Sequence, residues 1–97
     1  WGLDDTFSPK KTLNATARAG NFPVAEPLVE DIGGNTVARP VSLNRAGGDD
    51  VERTAACFQY EPDGYDGHFV STQHPAAVAD WTGFLETLIT TGTPTVE

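Results

Sequence analysis

The C-terminal third of the chain is the part that most constrains its fold. Val78, Trp81, Phe84, Leu85, Leu88 and Ile89 recur at steps of three, three, one, three and one, the spacing of one face of an α-helix. Pro75 stands near the first turn and Gly92 just past the last apolar position, so both helix ends are marked. These apolar side chains, Trp81 and Phe84 among them, need a surface to cover. A sheet containing the strand just upstream is the expected partner.

That strand is expected within residues 51–60. Val51-Glu52-Arg53-Thr54-Ala55-Ala56-Cys57-Phe58-Gln59-Tyr60 is rich in strand-compatible residues with an apolar centre, which suits burial on at least one face. Pro62-Asp63-Gly64 then turns the chain. At the other end, residues 1–2 read as the end of a strand and 3–8 as a polar loop. Ser8 followed by Pro9 predicts a helix start, with a hydroxyl at the N-cap and a proline whose missing N–H costs nothing at the first helical position. The helix runs from Lys10 to about Ala19, and Gly20 stops it. Residues 21–50 are irregular. Pro23, Pro27 and Pro40 interrupt them, Gly33-Gly34 and Gly47-Gly48 mark turns, and short extended pieces fit 27–29 and 36–43. So long a connection suggests a surface excursion or part of a substrate-side wall. Residues 93–97 read as a frayed tail. The expected organisation is one partial domain over 1–97: an acid loop and helix (1–20), an irregular insertion (21–50), and a last strand, histidine loop and C-terminal helix (51–92).

Composition bears on whether such a unit stands alone. A chain of 97 residues buries only ~60–65% of its unfolded surface. Its apolar fraction is 38%, and seven prolines and ten glycines thin the core further. It suits part of a larger sheet better than a free domain. The net charge of −8 repels phosphate backbones and offers no basic stripe to anionic lipid, which argues against nucleic-acid and membrane-surface partners. The bland reading of that acidity is solubility. The single cysteine, Cys57, excludes an intrachain disulfide and reads as a small buried hydrophobe. No run approaches the ~20 apolar residues of a membrane span. Asn14-Ala15-Thr16 is a glycosylation sequon that matters only in a eukaryotic secretory host. Compartment is left open: these features fit the cytosol or a secreted, extracytoplasmic setting alike.

Two short segments carry candidate chemistry, with their key residues 63 positions apart (68 − 5). In Gly2-Leu3-Asp4-Asp5-Thr6-Phe7-Ser8-Pro9, a glycine ends a strand, an acid sits in the loop and a proline fixes the exit, which holds the Asp5 carboxylate at the mouth of a sheet. Asp4 and Asp5 equally suit an ordinary approach to a helix N-terminus, where acids are favoured. In Asp66-Gly67-His68-Phe69-Val70, a histidine follows a strand and precedes a helix, a place from which it can reach a cleft or simply face solvent. His74, beside Pro75, competes with it, though a capping or solvent role fits His74 better. Asp63-Gly64-Tyr65-Asp66-Gly67-His68 sets acids three apart around glycines but lacks the twelve-residue EF-hand pattern. A metal held by Asp5 and His68 would need a third ligand, with His74 the conceivable one.

An acid and then a histidine, each after a strand and before a helix, resembles the end of the α/β-hydrolase family, where the chain order is nucleophile, acid, histidine. Gly2, Asp5 and Pro9 match the family's Gly-x-x-Asp-x-x-x-Pro pattern. Gly67-His68, Pro75 and Phe84-Leu85 match its histidine loop and last helix. The resemblance covers residues 1–15 and 52–90 and is silent over 21–50, where the acid-to-histidine spacing exceeds the family's common one. The Gly-x-Ser-x-Gly nucleophile turn is absent, and the chain opens on Trp1 rather than methionine. The resemblance thus implies an α/β fold class: the last strands and helices of an α/β-hydrolase sheet, in the C-terminal portion of an esterase- or lipase-like serine hydrolase. Asp5 and His68 would be the catalytic acid and histidine, a nucleophile-bearing N-terminal portion the partner, an ester the substrate, and no cofactor would be needed. The alternative is a small non-catalytic extracellular binding or structural module in which Asp5 and His68 are incidental. Proximity separates the two: the first requires the carboxylate and the ring to come within reach of each other.

Overall fold

A computed structural model describes all 97 residues, Trp1–Glu97. The chain forms α1 (Lys10–Ala19), then five two-residue strands: β1 (Val24–Ala25), β2 (Thr36–Val37), β3 (Val41–Ser42), β4 (Arg45–Ala46) and β5 (Glu52–Arg53). A 3₁₀ turn (Gly67–Phe69), α2 (Val70–Gln73), α3 (Pro75–Thr91) and β6 (Thr95–Val96) follow. No helix is long and apolar enough to cross a membrane.

The two long helices lie where the sequence puts them. α1 spans the expected residues, but Pro9, not Ser8, occupies its N-cap, and no side chain caps it. At its C-terminal end the Arg45 guanidinium donates to the Gly20 carbonyl at 2.8 Å and lies over the Phe22 ring at 4.5 Å. α3 starts with Pro75 in its first turn and ends at Gly92, whose φ of 77° is the left-handed conformation that glycine adopts without a Cβ penalty.

The expected strand over 51–60 is broken. β5 is an exposed strand paired antiparallel with β4, and the apolar half enters the fold only through single bridges. Cys57 bridges Val24 and Tyr60 bridges Gly2, both parallel. The Tyr60 N–H donates to the Trp1 carbonyl (2.9 Å) and the Leu3 N–H to the Tyr60 carbonyl (3.1 Å). On the other side the Cys57 N–H donates to Pro23 and the Ala25 N–H to Cys57, both at 2.8 Å. Odd spacing within 57–60 aims its N–H groups to opposite sides. β1 also pairs parallel with β2, so four backbones run side by side in the order β2, β1, 57–60, 1–3. Thr54, Ala55 and Ala56 take no part in the pairing.

Residues 93–97 are not frayed. β6 pairs antiparallel with β3 (Val41↔Val96, Ser42↔Thr95), and Val96 is buried. The Thr95 N–H donates to the Thr87 hydroxyl at 2.8 Å, which sews the end of the chain to α3. α3 therefore packs against β6 and α2, and it meets the strand before the histidine through Asp80, which accepts from the Tyr60 hydroxyl at 2.6 Å.

Arg39 gathers these parts. Its guanidinium is bidentate on Asp80 (2.8 and 2.6 Å). It also donates to the carbonyls of Glu26 and Glu97 and lies 4.9 Å from the Phe58 ring centre. The paired side chains are 26% and 14% exposed. Breaking the pair should thus cost more than the ~0–1 kcal/mol of a surface bridge and less than the ~3–5 kcal/mol of a fully buried one. The polar hub matters because the apolar core is small: ten residues are buried, and the largest of those fully enclosed is Val41. The chain exposes 6004 Å², where a compact monomer of its mass exposes roughly 5,400 Å². Part of the excess lies along α3, where Trp81, Leu85, Leu88 and Ile89 of the expected packing face are exposed.

Two glycines test this packing in opposite directions. A Cβ on Gly67 would stand 1.9 Å from the Leu3 carbonyl oxygen and 2.8 Å from the Asp5 nitrogen, both backbone atoms. A Cβ on Gly83, inside α3, meets nothing within 4 Å. Urea denaturation should show Gly67→Ala losing about 3 kcal/mol or more through overpacking and Gly83→Ala gaining about 0.5–1 kcal/mol through reduced unfolded-state entropy.

Candidate active site

The loop after Leu3 turns on the side chain of Asp5. Its Oδ1 accepts the backbone N–H of Phe7 (2.9 Å) and Ser8 (2.7 Å), a local closure typical of aspartate. These bonds fix the carboxylate and place Ser8 in the turn, one residue before the N-cap of α1. The histidine segment is fixed by Asp66, the N-cap of the 3₁₀ turn, which accepts the His68 N–H at 2.9 Å. Asp66 also accepts from the Thr6 backbone N–H and hydroxyl, so one carboxylate ties the acid loop to the histidine loop. The backbones touch as well, with the Gly67 N–H on the Asp4 carbonyl at 3.4 Å. Neither glycine at this crossing tolerates a side chain: a Cβ on Gly2 would lie 2.2 Å from the Gly67 carbonyl oxygen.

This crossing brings Asp5 and His68 together. His68 Nδ1 lies 3.4 Å from Asp5 Oδ1, with the side chains 44% and 7% exposed. That is a charge contact somewhat longer than a formed hydrogen bond. A proton on Nδ1 facing the carboxylate leaves Nε2 as the free acceptor. The imidazole is flanked by Phe7 (4.7 Å between ring centres) and Phe69 (5.4 Å). Burial pushes the Asp5 carboxyl up, but the Ser8 and Phe7 N–H groups and the His68 ring outweigh it and hold it below the usual carboxylate range. Asp66 is also lowered, first by the Thr6 hydroxyl and then by the His68 N–H.

Both residues line a cleft of about 570 Å³. Gly2, Gly67 and Ser8 share its polar wall, and Trp1, Leu13, Phe58, Val70, Trp81 and Phe84 are among its apolar lining. Cys57 is part of this wall rather than the core. It is unpaired, and burial raises its thiol.

His74 makes no cap. It is half-buried with Nδ1 unpartnered, 5.2 Å from the Tyr60 ring, on the Arg39–Asp80–Tyr60 side and outside the cleft lining. No three His, Cys, Asp or Glu side chains group in a ligating arrangement. Asp66 is committed to Thr6 and His68.

Sequence reasoning missed Asp66 as the bridge between the two loops. The signal was there, since an aspartate directly before a short helical turn is a capping residue. It also missed Trp1 and Trp81 as cleft residues, for which no local pattern exists. Compared with known proteins, the chain matches no family model, and no curated protein or solved structure is significantly similar to it.

The depressed Asp5 carboxyl has a defined pH consequence. A group lowered on folding adds stability above its unfolded value near ~3.9, and that contribution disappears as pH falls through the folded value. Carbon-13 NMR should place the Asp5 carboxyl titration below the usual range and move it upward in His68→Ala. Urea midpoints followed from pH 7 into acid should fall less steeply in Asp5→Asn than in the parent. An Asp5 titration indifferent to His68→Ala would show that the pair is not coupled.

Proposed function

We propose that Asp5 and His68 are the acid and histidine of a serine-hydrolase site acting on carboxylic esters. In this reading the chain is the C-terminal portion of an α/β-hydrolase fold, and another part of the hydrolase carries the nucleophile. The observation that supports it best is the 3.4 Å approach of His68 Nδ1 to an Asp5 oxygen already fixed by two amide N–H groups. Two loops 63 residues apart (68 − 5) meet at these side chains, and both glycines at the crossing are sterically required. A chance contact between a surface acid and a surface histidine needs none of this support.

The chemistry follows from that arrangement. His68 Nε2 takes the proton from a serine hydroxyl as its oxygen attacks the ester carbonyl carbon. Asp5 holds the ring with Nδ1 protonated and stabilises the imidazolium that forms. The tetrahedral intermediate collapses, the alcohol leaves with the proton from Nε2, and an acyl-serine remains. Water, deprotonated by the same nitrogen, then releases the carboxylic acid. None of Ser8, Ser42 or Ser71 stands in a Gly-x-Ser-x-Gly turn, so the nucleophile and its oxyanion donors are assigned to the other part.

Purification from the source with a fluorophosphonate probe tests the reading. The expected result is a labelled, co-purifying or covalently continuous polypeptide with a Gly-x-Ser-x-Gly serine. Its esterase activity should fall roughly 10⁶-fold in His68→Ala, as on removal of a triad histidine. Esterase activity that survives His68→Ala, or a serine whose labelling ignores both Asp5 and His68, would remove these residues from the chemistry.

A further inference from the structure

Phe7 is the most exposed aromatic side chain of the molecule, at 67%. It also stands outside the cleft lining, so neither core packing nor the cleft wall accounts for it. Its aromatic neighbours both belong to the histidine loop. The His68 imidazole lies 4.7 Å away at 43°, and the Phe69 ring 6.2 Å away at 72°. Phe69 in turn meets His68 edge-on, at 5.4 Å and 86°. All three separations fall in the ~4.5–7 Å range of aromatic pairs. Phe69 adjoins His68 in the chain, whereas Phe7 arrives from 61 positions away (68 − 7).

We infer that Phe7 is a positioning residue for His68, its ring holding the imidazole in the rotamer that faces Asp5. The inference deepens, and rests on, the reading of His68 as the histidine of the site. The contact of Nδ1 with Asp5 Oδ1, at 3.4 Å, is longer than a formed hydrogen bond, and the His68 side chain is 44% exposed. Such a contact does not by itself close the other staggered wells of χ1. A ring laid against the imidazole raises the cost of leaving, because a swing away from Asp5 gives up the aromatic contact as well. One pair of this kind biases a two-state equilibrium by roughly two- to twelvefold. The place of Phe7 is set by the same turn that sets the acid. Its backbone N–H donates to Asp5 Oδ1 at 2.9 Å, the oxygen that His68 Nδ1 faces. That hydrogen bond fixes carboxylate and phenyl ring relative to each other, and the imidazole rests against both. Were Phe7 only a surface phenylalanine sheltered by its neighbours, the His68 rotamer would be indifferent to it.

Three-bond couplings from His68 Cγ to its backbone nitrogen and carbonyl carbon read the χ1 populations directly in the isotopically labelled 97-residue chain. The unsubstituted chain should show one dominant rotamer. Phe7→Ala keeps the backbone N–H on Asp5 and removes a ring already mostly in water. Its dominant His68 rotamer should lose about twofold to tenfold against the others. The Asp5 carboxyl, which His68 helps to hold down, should titrate higher, part of the way towards its position in His68→Ala. Phe7→Tyr should restore both readings, since so exposed a ring can carry its hydroxyl into water. Ile89→Ala, another exposed apolar residue on α3, should change neither. Circular dichroism confirms folding of each variant. In the hydrolase with its nucleophile, Phe7→Ala should lower kcat by about twofold to tenfold with KM unchanged, because Phe7 does not line the cleft. Couplings already averaged in the unsubstituted chain, unmoved in Phe7→Ala, or moved equally in Ile89→Ala would overturn the inference. So would a failure of Phe7→Tyr to restore them. A His68 rotamer released by Phe7→Ala, in a hydrolase that ignores His68→Ala, would leave the positioning role standing and remove the catalytic reading alone. An unmoved rotamer in a hydrolase silenced by His68→Ala would do the reverse.

Discussion

The local structure around the candidate site depends on one close approach of backbones, where residues 2–5 cross residues 66–67. No side chain lies between them: the Cβ positions of Gly2 and Gly67 are both occupied by atoms of the opposite loop. Everything polar at the crossing follows from that. Thr6 can reach Asp66, Asp66 can cap the turn bearing His68, and the His68 ring can meet an Asp5 carboxylate that its own loop has already oriented. A single methyl group in the contact would force the two loops apart. Preorganisation here is a property of the main chain, and the Asp5 and His68 side chains inherit it.

Arg39 has a comparable role where α3 meets the strand at 58–60. With so few buried apolar residues, the chain cannot rely on hydrophobic packing to set α3 against the parallel ladder. A fork of charge-assisted hydrogen bonds does this instead. The guanidinium lies over Phe58 and grips Asp80, while Tyr60 adds its hydroxyl to the same carboxylate. Asp80 is accordingly held below the usual range against the effect of its own burial, first by Arg39 and then by Tyr60. Polar bonds of fixed length keep α3 at a set distance from the strand, and the cleft is the space left over.

What was legible in the sequence was mostly local. Both long helices could be bounded from proline, glycine and apolar period, because the physics that ends a helix acts within a turn or two. Asp5 and His68 could be named because glycine and proline frame them. The strand at 51–60 could not be drawn correctly: its apolar character is real, yet single bridges on opposite sides of 57 and 60 are decided by segments far away in the chain. The buried end at Val96 was missed for the same reason, since Thr-Val near a terminus carries no sign of a partner at residues 41–42. The C-terminal helix misled in an instructive way. Its apolar period is sound, but α3 turns Ala77, Asp80 and Thr87 inward and leaves Leu85, Leu88 and Ile89 outside. Periodicity shows that a helix has an apolar face without showing that this chain covers it.

The order in which neighbours occur along the chain has a consequence for its biosynthesis. Trp1 and Leu3 pair only with residues 58–60, and β3 waits for β6. Neither of these two pairings can close until the later segment has been made, and the entropy of closing such long loops comes before any reward. At a translation rate of ~5–20 residues per second, the first strand is without its partner for roughly three to twelve seconds. During that interval Trp1, Leu3 and Phe7 are open to water and to other chains. These two pairings therefore form late, only after residues 58–60 and 95–96 have been made.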